Sequence, residues 1–221
     1  AGVRRNFGTM SEILHPGFAA QDGIASAELA ARGLTAASDA LDGSTGFLAA
    51  GAGEFNAVEI VGRLSRPWLF DDPGVWIKPH PNGALTHPAA GCLLELLRDN
   101  SVVPAEIHEI RVRTNDRVWR TLQHHRPQTA MQAKFSMEFT LAVIAVGGEA
   151  GLADFTDENL QRAGIREMMK RVAYTPYNVA GGDYTNVTTL IEVVLANGQT
   201  LSGRADFAKG STKAPMDFDS V

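Results

Sequence analysis

One lysine and two histidines stand close together in residues 75–91, where several prolines interrupt the chain. Lys78 follows a short apolar run, residues 75–77, which predicts a strand. His80 lies between two prolines, and His87 stands where the next helix is predicted to begin. A lysine ammonium can bind a carboxylate or stabilise the charge of an enolate, and a histidine can move a proton near neutral pH. The segment is a candidate for acid–base chemistry on a carboxylate; the alternative interpretation is a proline-stiffened surface turn.

Other short patterns in the chain do not predict a recognised kind of site. Gly51-x-Gly53 lacks the strand–glycine–helix context of a dinucleotide fingerprint. His124 and His125 are adjacent, so their side chains point apart, and no cysteine or carboxylate spacing supports a metal there. Neither a P-loop nor a Gly-x-Ser-x-Gly nucleophile motif occurs. We therefore expect no metal and no organic cofactor.

The composition is that of an ordinary globular protein. The chain has 221 residues, 44% of them hydrophobic and 20% charged, which is enough for one large domain or two small ones. A net charge of −5 gives no reason to expect nucleic acid. No apolar run is long enough to cross a membrane. The only cysteine, Cys92, cannot form an internal disulfide and is expected to be buried in a helix, which is consistent with a cytoplasmic location.

The first 65 residues are predicted to form helices and turns only. Residues 1–17 are expected to be a loop. An alanine-rich helix follows over 18–32 and ends at Gly33. Short helices are expected at 36–41, 47–50 and 57–64. Pro67 and the turn at 71–74 mark a boundary.

After that boundary the pattern predicts both helices and strands, which gives an α+β fold. A strand at 75–78 leads to a helix at 87–98. Polar and apolar residues alternate over 107–114, as in a strand with one buried face. Asn197-Gly198 joins two further strands as a hairpin. The other predicted elements are helices at 116–124, 130–146, from 156 onward and at 165–172, and strands at 188–195 and 200–207.

Four segments, taken in order, resemble the MmgE/PrpD family. The first is residues 7–20 (FGTMSEILHPGFAA) with the alanine-rich helix after it, and the second is residues 78–87 (KPHPNGALTH). The third is residues 133–136 (AKFS), which precede an apolar helix. The fourth is the strand within 198–209 that leads to KGS and then PM. The similarity therefore extends over essentially the whole chain.

The resemblance implies an all-helical segment and an α/β lid domain, with the site in the cleft between them. Residues 1–66 would belong to the helical domain, 67–209 to the lid, and 210–221 to a segment that returns to the helical domain. Family members are about twice this length, so the N-terminal half would be missing here. We therefore expect a homo-oligomer, or a companion chain that supplies this half. Without one, apolar helix faces within 18–64 would be exposed.

The resemblance also implies an activity. Family members are dehydratases, decarboxylases and epimerases of small carboxylic acids and need no cofactor. We expect a lyase that acts on a small di- or tricarboxylic acid by abstracting a proton next to a carboxylate. Two alternatives remain: an epimerase or isomerase of the same family, and an inactive subunit that needs a partner chain.

Several site residues follow from the resemblance. Lys78 and His87 match family positions. Residues 11–15 replace the family segment Thr-Lys-Pro-Leu-His, so that Glu12 stands in place of a lysine. Gly83 stands where the decarboxylases have a histidine. An aspartate and a histidine that the family uses in catalysis fall outside this chain. The expected catalytic residues are Lys78, His87 and Glu12, and the expected substrate-binding residues are Ser11, His15 and His80.

Overall fold

The computed structural model describes residues 2–52, 55–64, 66–177 and 187–217, which group into two compact units. The first unit is Ile13–Val75. The second unit consists of Gly2–Glu12 and the described residues from Trp76 onward. No described helix is both long and apolar enough to cross a membrane.

The first unit contains helices α1 (Met10–Ala31), α2 (Phe47–Ala52) and α3 (Ala57–Val61), of which α1 begins in the second unit. No residue of α1 is buried in this chain. Phe18, Ile24 and Leu29 are among its exposed apolar side chains. The apolar helix faces expected within 18–64 are therefore exposed here.

Helix α1 begins much earlier than the sequence predicted, so a loop over residues 1–17 is wrong beyond residue 9. The Glu12 carboxylate accepts a hydrogen bond from the Gly8 backbone N–H at 3.1 Å and so satisfies a donor at the helix start. Pro16 lies inside the helix rather than ending it. The predicted end is confirmed, because Gly33 adopts φ +93° just after the last helical residue.

The two short helices expected on either side of α2 have different outcomes. Residues 38–41 form turns and residues 36–37 belong to no regular element, so the predicted helix there is wrong. Helix α3 is confirmed, although it ends sooner than predicted. Asn56 caps it, because its side-chain oxygen accepts the Val58 N–H at 3.1 Å.

The second unit is built on a four-stranded mixed sheet in the order β2-β1-β3-β4. β1 pairs with β2 in parallel and with β3 antiparallel, and β3 pairs antiparallel with β4. The α+β fold class is therefore confirmed. The strands are β1 (Ile107–Asn115), β2 (Val172–Tyr177), β3 (Thr189–Leu195) and β4 (Thr200–Ala205).

Two strand predictions fail. Residues 75–78 are not a strand: the Ile77 N–H donates to the Gly210 carbonyl at 2.8 Å, but no ladder forms around that bond. β2 was missed, because the sequence pattern extended the preceding helix to residue 172. The hairpin prediction holds: Gly198 has φ +87° between β3 and β4.

Six α-helices lie wholly within the described part of this unit, beside several 3₁₀ helices. They are α4 (His87–Asp99), α5 (Asp116–Thr121), α6 (Ala130–Ala133), α7 (Met137–Gly147), α8 (Asp157–Gln161) and α9 (Ala163–Lys170). The helix predicted over 130–146 is divided into α6 and α7. Ser136 separates them, because its hydroxyl accepts the Phe139 N–H at 3.2 Å and caps α7.

Helix α7 forms the centre of the core. Its residues from 137 to 145 are all buried, and it contacts α4, α9 and β2. Helix α4 packs on β3 and β4. Cys92 is buried there, as predicted, and faces Gly203 so closely that a Cβ at position 203 would collide with its Sγ. This close packing fixes α4, and with it the segment that precedes α4, relative to the sheet.

Candidate active site

The segment that carries Lys78, His80 and His87 is anchored before it enters α4. The Gly83 N–H donates to the Lys134 carbonyl at 2.8 Å, in the turn between α6 and α7. The Gly83 carbonyl accepts both the backbone N–H and the hydroxyl of Thr86, each at 2.9 Å. His87 is then the first residue of α4, and Pro88 lies in its first turn as predicted.

Asn82 links this segment to α7 and fixes the tautomer of His87. The Thr140 hydroxyl donates to the Ser136 carbonyl at 2.8 Å, so it accepts from Asn82 Nδ2, which lies 2.9 Å away. Asn82 Oδ1 must then face His87 Nε2, at 2.8 Å. Because an amide oxygen only accepts, Nε2 of His87 carries the proton and Nδ1 keeps its lone pair.

His87 is neutral in the folded protein. Its side chain is buried, and burial is the main reason that its pKa falls to about 3. The nearby His80 and the Lys78 ammonium lower that pKa further, whereas the hydrogen bond with Asn82 opposes the shift. At neutral pH the charge of Lys78 therefore lies beside an uncharged imidazole.

His80 packs edge-on against His87, with ring centroids 5.3 Å apart and planes at 89°. Its Nδ1 lies 3.1 Å from the Ala150 carbonyl oxygen and donates to it, so Nε2 is the unprotonated nitrogen. Burial lowers the pKa of His80, and the bond to Ala150 partly opposes that shift. The ring is half-buried, so His80 is a neutral base that remains accessible at the surface.

Lys78 is exposed and turns back over the same segment. Its Nζ donates to the Asn82 carbonyl oxygen at 3.2 Å. An ammonium carries three N–H donors, so two remain for a bound carboxylate. Asn82 therefore connects the cation, through its backbone, with the buried imidazole of His87, through its side chain.

Gly83 occupies a tight position beside Phe135. A Cβ at residue 83 would lie 3.2 Å from the Phe135 Cδ1 and 3.2 Å from the Lys134 carbonyl oxygen. Phe135 also packs against Phe7, whose ring stacks on it with centroids 4.9 Å apart. A histidine at position 83 would require these neighbours to move.

The structure brings together three of the six predicted site residues: Lys78, His80 and His87. Ser11 is exposed, and Glu12 is bonded to the Gly8 N–H. Among the described residues, no hydrogen bond or ion pair joins Ser11 or Glu12 to the segment from Lys78 to His87. His15 lies on α1 in the first unit.

Two family models match this chain. The MmgE/PrpD N-terminal domain matches residues 1–93, and the MmgE/PrpD C-terminal domain matches residues 80–221. The chain belongs to the MmgE/PrpD family. The resemblance found in the sequence is thereby confirmed, and the two matches overlap on the segment that holds His80 and His87.

Two curated relatives carry the name cis-aconitate decarboxylase. The protein from Homo sapiens is 26% identical over 223 residues, which cover 98% of this chain and 45% of the relative. The protein from Mus musculus is 25% identical over 224 residues, with the same shares of the two chains. This MmgE/PrpD chain thus spans less than half the length of the curated relatives it matches.

Two parts of the network in this MmgE/PrpD chain were missed by sequence reasoning. Asn82 was interpreted as a turn former between a proline and a glycine. Thr140 lies within a helix whose other side chains are mostly apolar, and its hydroxyl is the feature of the sequence that could have indicated a buried hydrogen bond. Within the part of the chain that the structure describes, no group of three His, Cys, Asp or Glu side chains could hold a metal.

Proposed function

We propose that this MmgE/PrpD chain contributes to a lyase that removes a proton next to a carboxylate of a small di- or tricarboxylic acid. One observation carries the proposal: Asn82 connects the Lys78 ammonium with the neutral pair His80 and His87. A cation beside a neutral base is the arrangement that such a proton abstraction needs.

Lys78 would bind the substrate carboxylate. When the neighbouring C–H bond breaks, its electron pair spreads into that carboxylate, which gains negative charge. An ammonium already in position stabilises this charge more in the transition state than in the ground state. The exposed Lys78 Nζ, held by the Asn82 carbonyl, is placed to do so.

His80 would take the proton on Nε2, the nitrogen that the Ala150 contact leaves unprotonated. His87, which the sequence predicted to be catalytic, would instead act as a positioning residue for His80, because its Nε2–H is engaged by Asn82 and its ring supports that of His80. The protonated His80 could then give its proton to a departing β-hydroxyl, which leaves as water and completes a dehydration. A decarboxylation would break the C–C bond to the carboxylate instead of the C–H bond; CO₂ would leave, and the resulting carbanion would take one proton from a histidine that had been protonated by solvent.

Within this class, Glu12 would make a dicarboxylic acid a better substrate than a tricarboxylic acid. Glu12 adds a negative charge where the family segment has a lysine, and this charge disfavours a third carboxylate. Glu12 could also serve as a second base, provided that its bond to the Gly8 N–H opens on substrate binding.

An epimerase or isomerase is the alternative within the family. It would use the same first step and differ only in returning a proton to the opposite face of the carbanion. A second candidate is a subunit that needs a companion chain. The exposed apolar side chains of α1 favour this candidate.

Deuterium exchange tests the shared first step. The protein, as its native assembly identified by native mass spectrometry, is incubated in D₂O with malate, citrate or cis-aconitate, and deuterium in the acid is measured by NMR. We expect exchange or turnover of at least one acid, reduced about tenfold or more in Lys78→Met. Lys213→Met, at an exposed lysine, is the matched control. Equal rates for Lys78→Met and the parent would contradict the proposal.

A further inference from the structure

The second unit contains a cavity of about 830 Å³ beside β2, the edge strand of the sheet. Sites for small molecules typically have volumes of this size. Its walls come from α5, residues 125–128, α7, α8, α9 and β2. None of its lining residues belongs to the segment from Lys78 to His87, so the cavity is separate from the candidate active site.

The acidic group of this cavity already has its partners. Glu138 is only 7% exposed, and burial raises its pKa. Its Oε1 lies 2.8 Å from His125 Nδ1, and its Oε2 accepts from the Ser136 hydroxyl at 3.3 Å. With these contacts in place, Glu138 has less need of a cation from outside the protein.

Trp119, by contrast, has an unused donor. Its indole Nε1 is buried and has no hydrogen-bond partner in the described structure. An indole N–H can only donate, and a buried donor without an acceptor is unfavourable. The centroid of its ring lies 5.1 Å from that of His125, and the His125 centroid lies 5.8 Å from that of Tyr174. These three rings form one aromatic side of the cavity.

The remaining charges in the lining are positive. Arg126, Arg166 and Lys170 contribute to the walls, and Glu138 is the single acid among the described lining residues. Lys170 pairs with Glu167 and Arg166 bonds to Gln161, whereas Arg126 has no ion pair among the described residues. An excess of cations around aromatic and aliphatic walls favours an anion with an apolar body.

We propose that this cavity is a second binding site of the protein, for a small planar organic anion. Its aromatic body would lie against Trp119, His125 and Tyr174. Its negative group would face Arg126 and Arg166. This site would bind its ligand independently of the reaction proposed for the Lys78 segment.

The tryptophan indole signals provide a direct test. The full chain, labelled with ¹⁵N, is titrated with 2-naphthoate, 2-naphthamide and 2-naphthylmethylamine, which share one ring system and differ in charge. Trp68→Phe and Trp76→Phe assign the indole signals without altering the cavity, since both residues lie outside its lining. We expect 2-naphthoate to shift the Trp119 signal saturably, with affinity about tenfold above that of the other two compounds.

Variants of the exposed arginines add a second test, because they are expected to fold. Arg126→Gln/Arg166→Gln should weaken 2-naphthoate binding about fivefold or more. Arg98→Gln, at an exposed arginine in the last turn of α4, should leave it unchanged.

Three results would overturn the proposal. The first is equal affinity for the three compounds, which would mean apolar contact only. The second is preference for the amine, which would make Glu138 the determinant. The third is the absence of a Trp119 shift up to the solubility limit of 2-naphthoate, including a case in which only the Trp68 and Trp76 signals move.

Discussion

Nε2 of His87 lies 2.8 Å from Oδ1 of Asn82, and this contact assigns the proton of the imidazole. The assignment depends on Thr140, which donates its own hydroxyl proton to a backbone carbonyl and so can only accept from Asn82. A buried polar network in which every group has a hydrogen-bond partner stabilises a single arrangement of its side chains. The segment that carries Lys78 and His80 is held by it.

Asn82→Ala should destabilise the protein markedly. It removes the acceptor for His87 and the donor for Thr140, and both groups remain buried. We expect a loss of about 2–3 kcal/mol in the free energy of unfolding, measured by urea denaturation. Asn100→Ala is the control, because Asn100 is exposed and its side chain bonds, within the described residues, to the Leu96 carbonyl; it should cost less than about 1 kcal/mol. Equal losses for the two variants would show that the network does not stabilise the fold.

The stability of the protein should fall as the pH drops below the ordinary histidine range. The folded pKa of His87 is about 3, against 6.5 in the unfolded chain, so between these values the unfolded state binds the additional proton. The contribution of His87 to the stability of the folded state therefore decreases as the pH falls. Between pH 7 and pH 4 we expect a loss of roughly 3 kcal/mol from this residue.

Urea denaturation at both pH values checks this expectation by comparing the parent with His87→Gln, in which the pH-dependent loss should be smaller. His108→Gln, at an exposed histidine, is the control and should retain the full loss. An unchanged pH dependence in His87→Gln would contradict the assigned neutral state of His87.

His80→Gln should separate binding from proton transfer. Glutamine can still donate to the Ala150 carbonyl but provides no base of comparable strength. We expect kcat for exchange or turnover to fall about a hundredfold or more, with KM little changed. Lys78→Met should lower kcat and raise KM together, because the ammonium binds the substrate carboxylate and stabilises its charge further in the transition state. A His80→Gln variant with the parent's kcat would remove His80 from the proposed mechanism.

Gly83→Ala should be destabilising even though alanine is small. Its Cβ would lie 3.2 Å from both the Lys134 carbonyl oxygen and the Phe135 ring, so these neighbours must shift. We expect a loss of about 1–2 kcal/mol, measured by thermal or urea unfolding. Gly91→Ala is the matched control: a Cβ within α4 at position 91 meets nothing within 4 Å. That variant should gain about 0.5–1 kcal/mol from helix propensity.

Glu12→Lys should change the substrate preference. If Glu12 disfavours a third carboxylate, the variant should raise kcat/KM for citrate or cis-aconitate relative to malate by about tenfold. Glu12→Gln is the control, because it removes the charge and keeps an acceptor for the Gly8 N–H. It should give a smaller shift in the same direction. Unchanged ratios in both variants would remove Glu12 from the proposed site.

Much of the secondary structure followed from local patterns. The alternation of polar and apolar residues predicted the buried face of β1. Asn197-Gly198 predicted the hairpin, and Pro88 predicted the start of α4. Predictions failed where distant contacts decide. Residues 75–77 are apolar, but no strand among the described residues pairs with them. β2 forms because it pairs in parallel with β1, from which five α-helices separate it along the chain.

The candidate site likewise depends partly on local sequence and partly on distant contacts. The sequence by itself determined the family, the three chemical groups of the Lys78 segment and the helix that follows them, because these depend on residue type and on neighbours along the chain. The tertiary structure decided their protonation and their partners. Asn82 meets Thr140 across 58 positions of sequence, and His80 meets Ala150 across 70. Such contacts form only when the core brings α4 against α7, and burial in that core is what keeps His87 neutral.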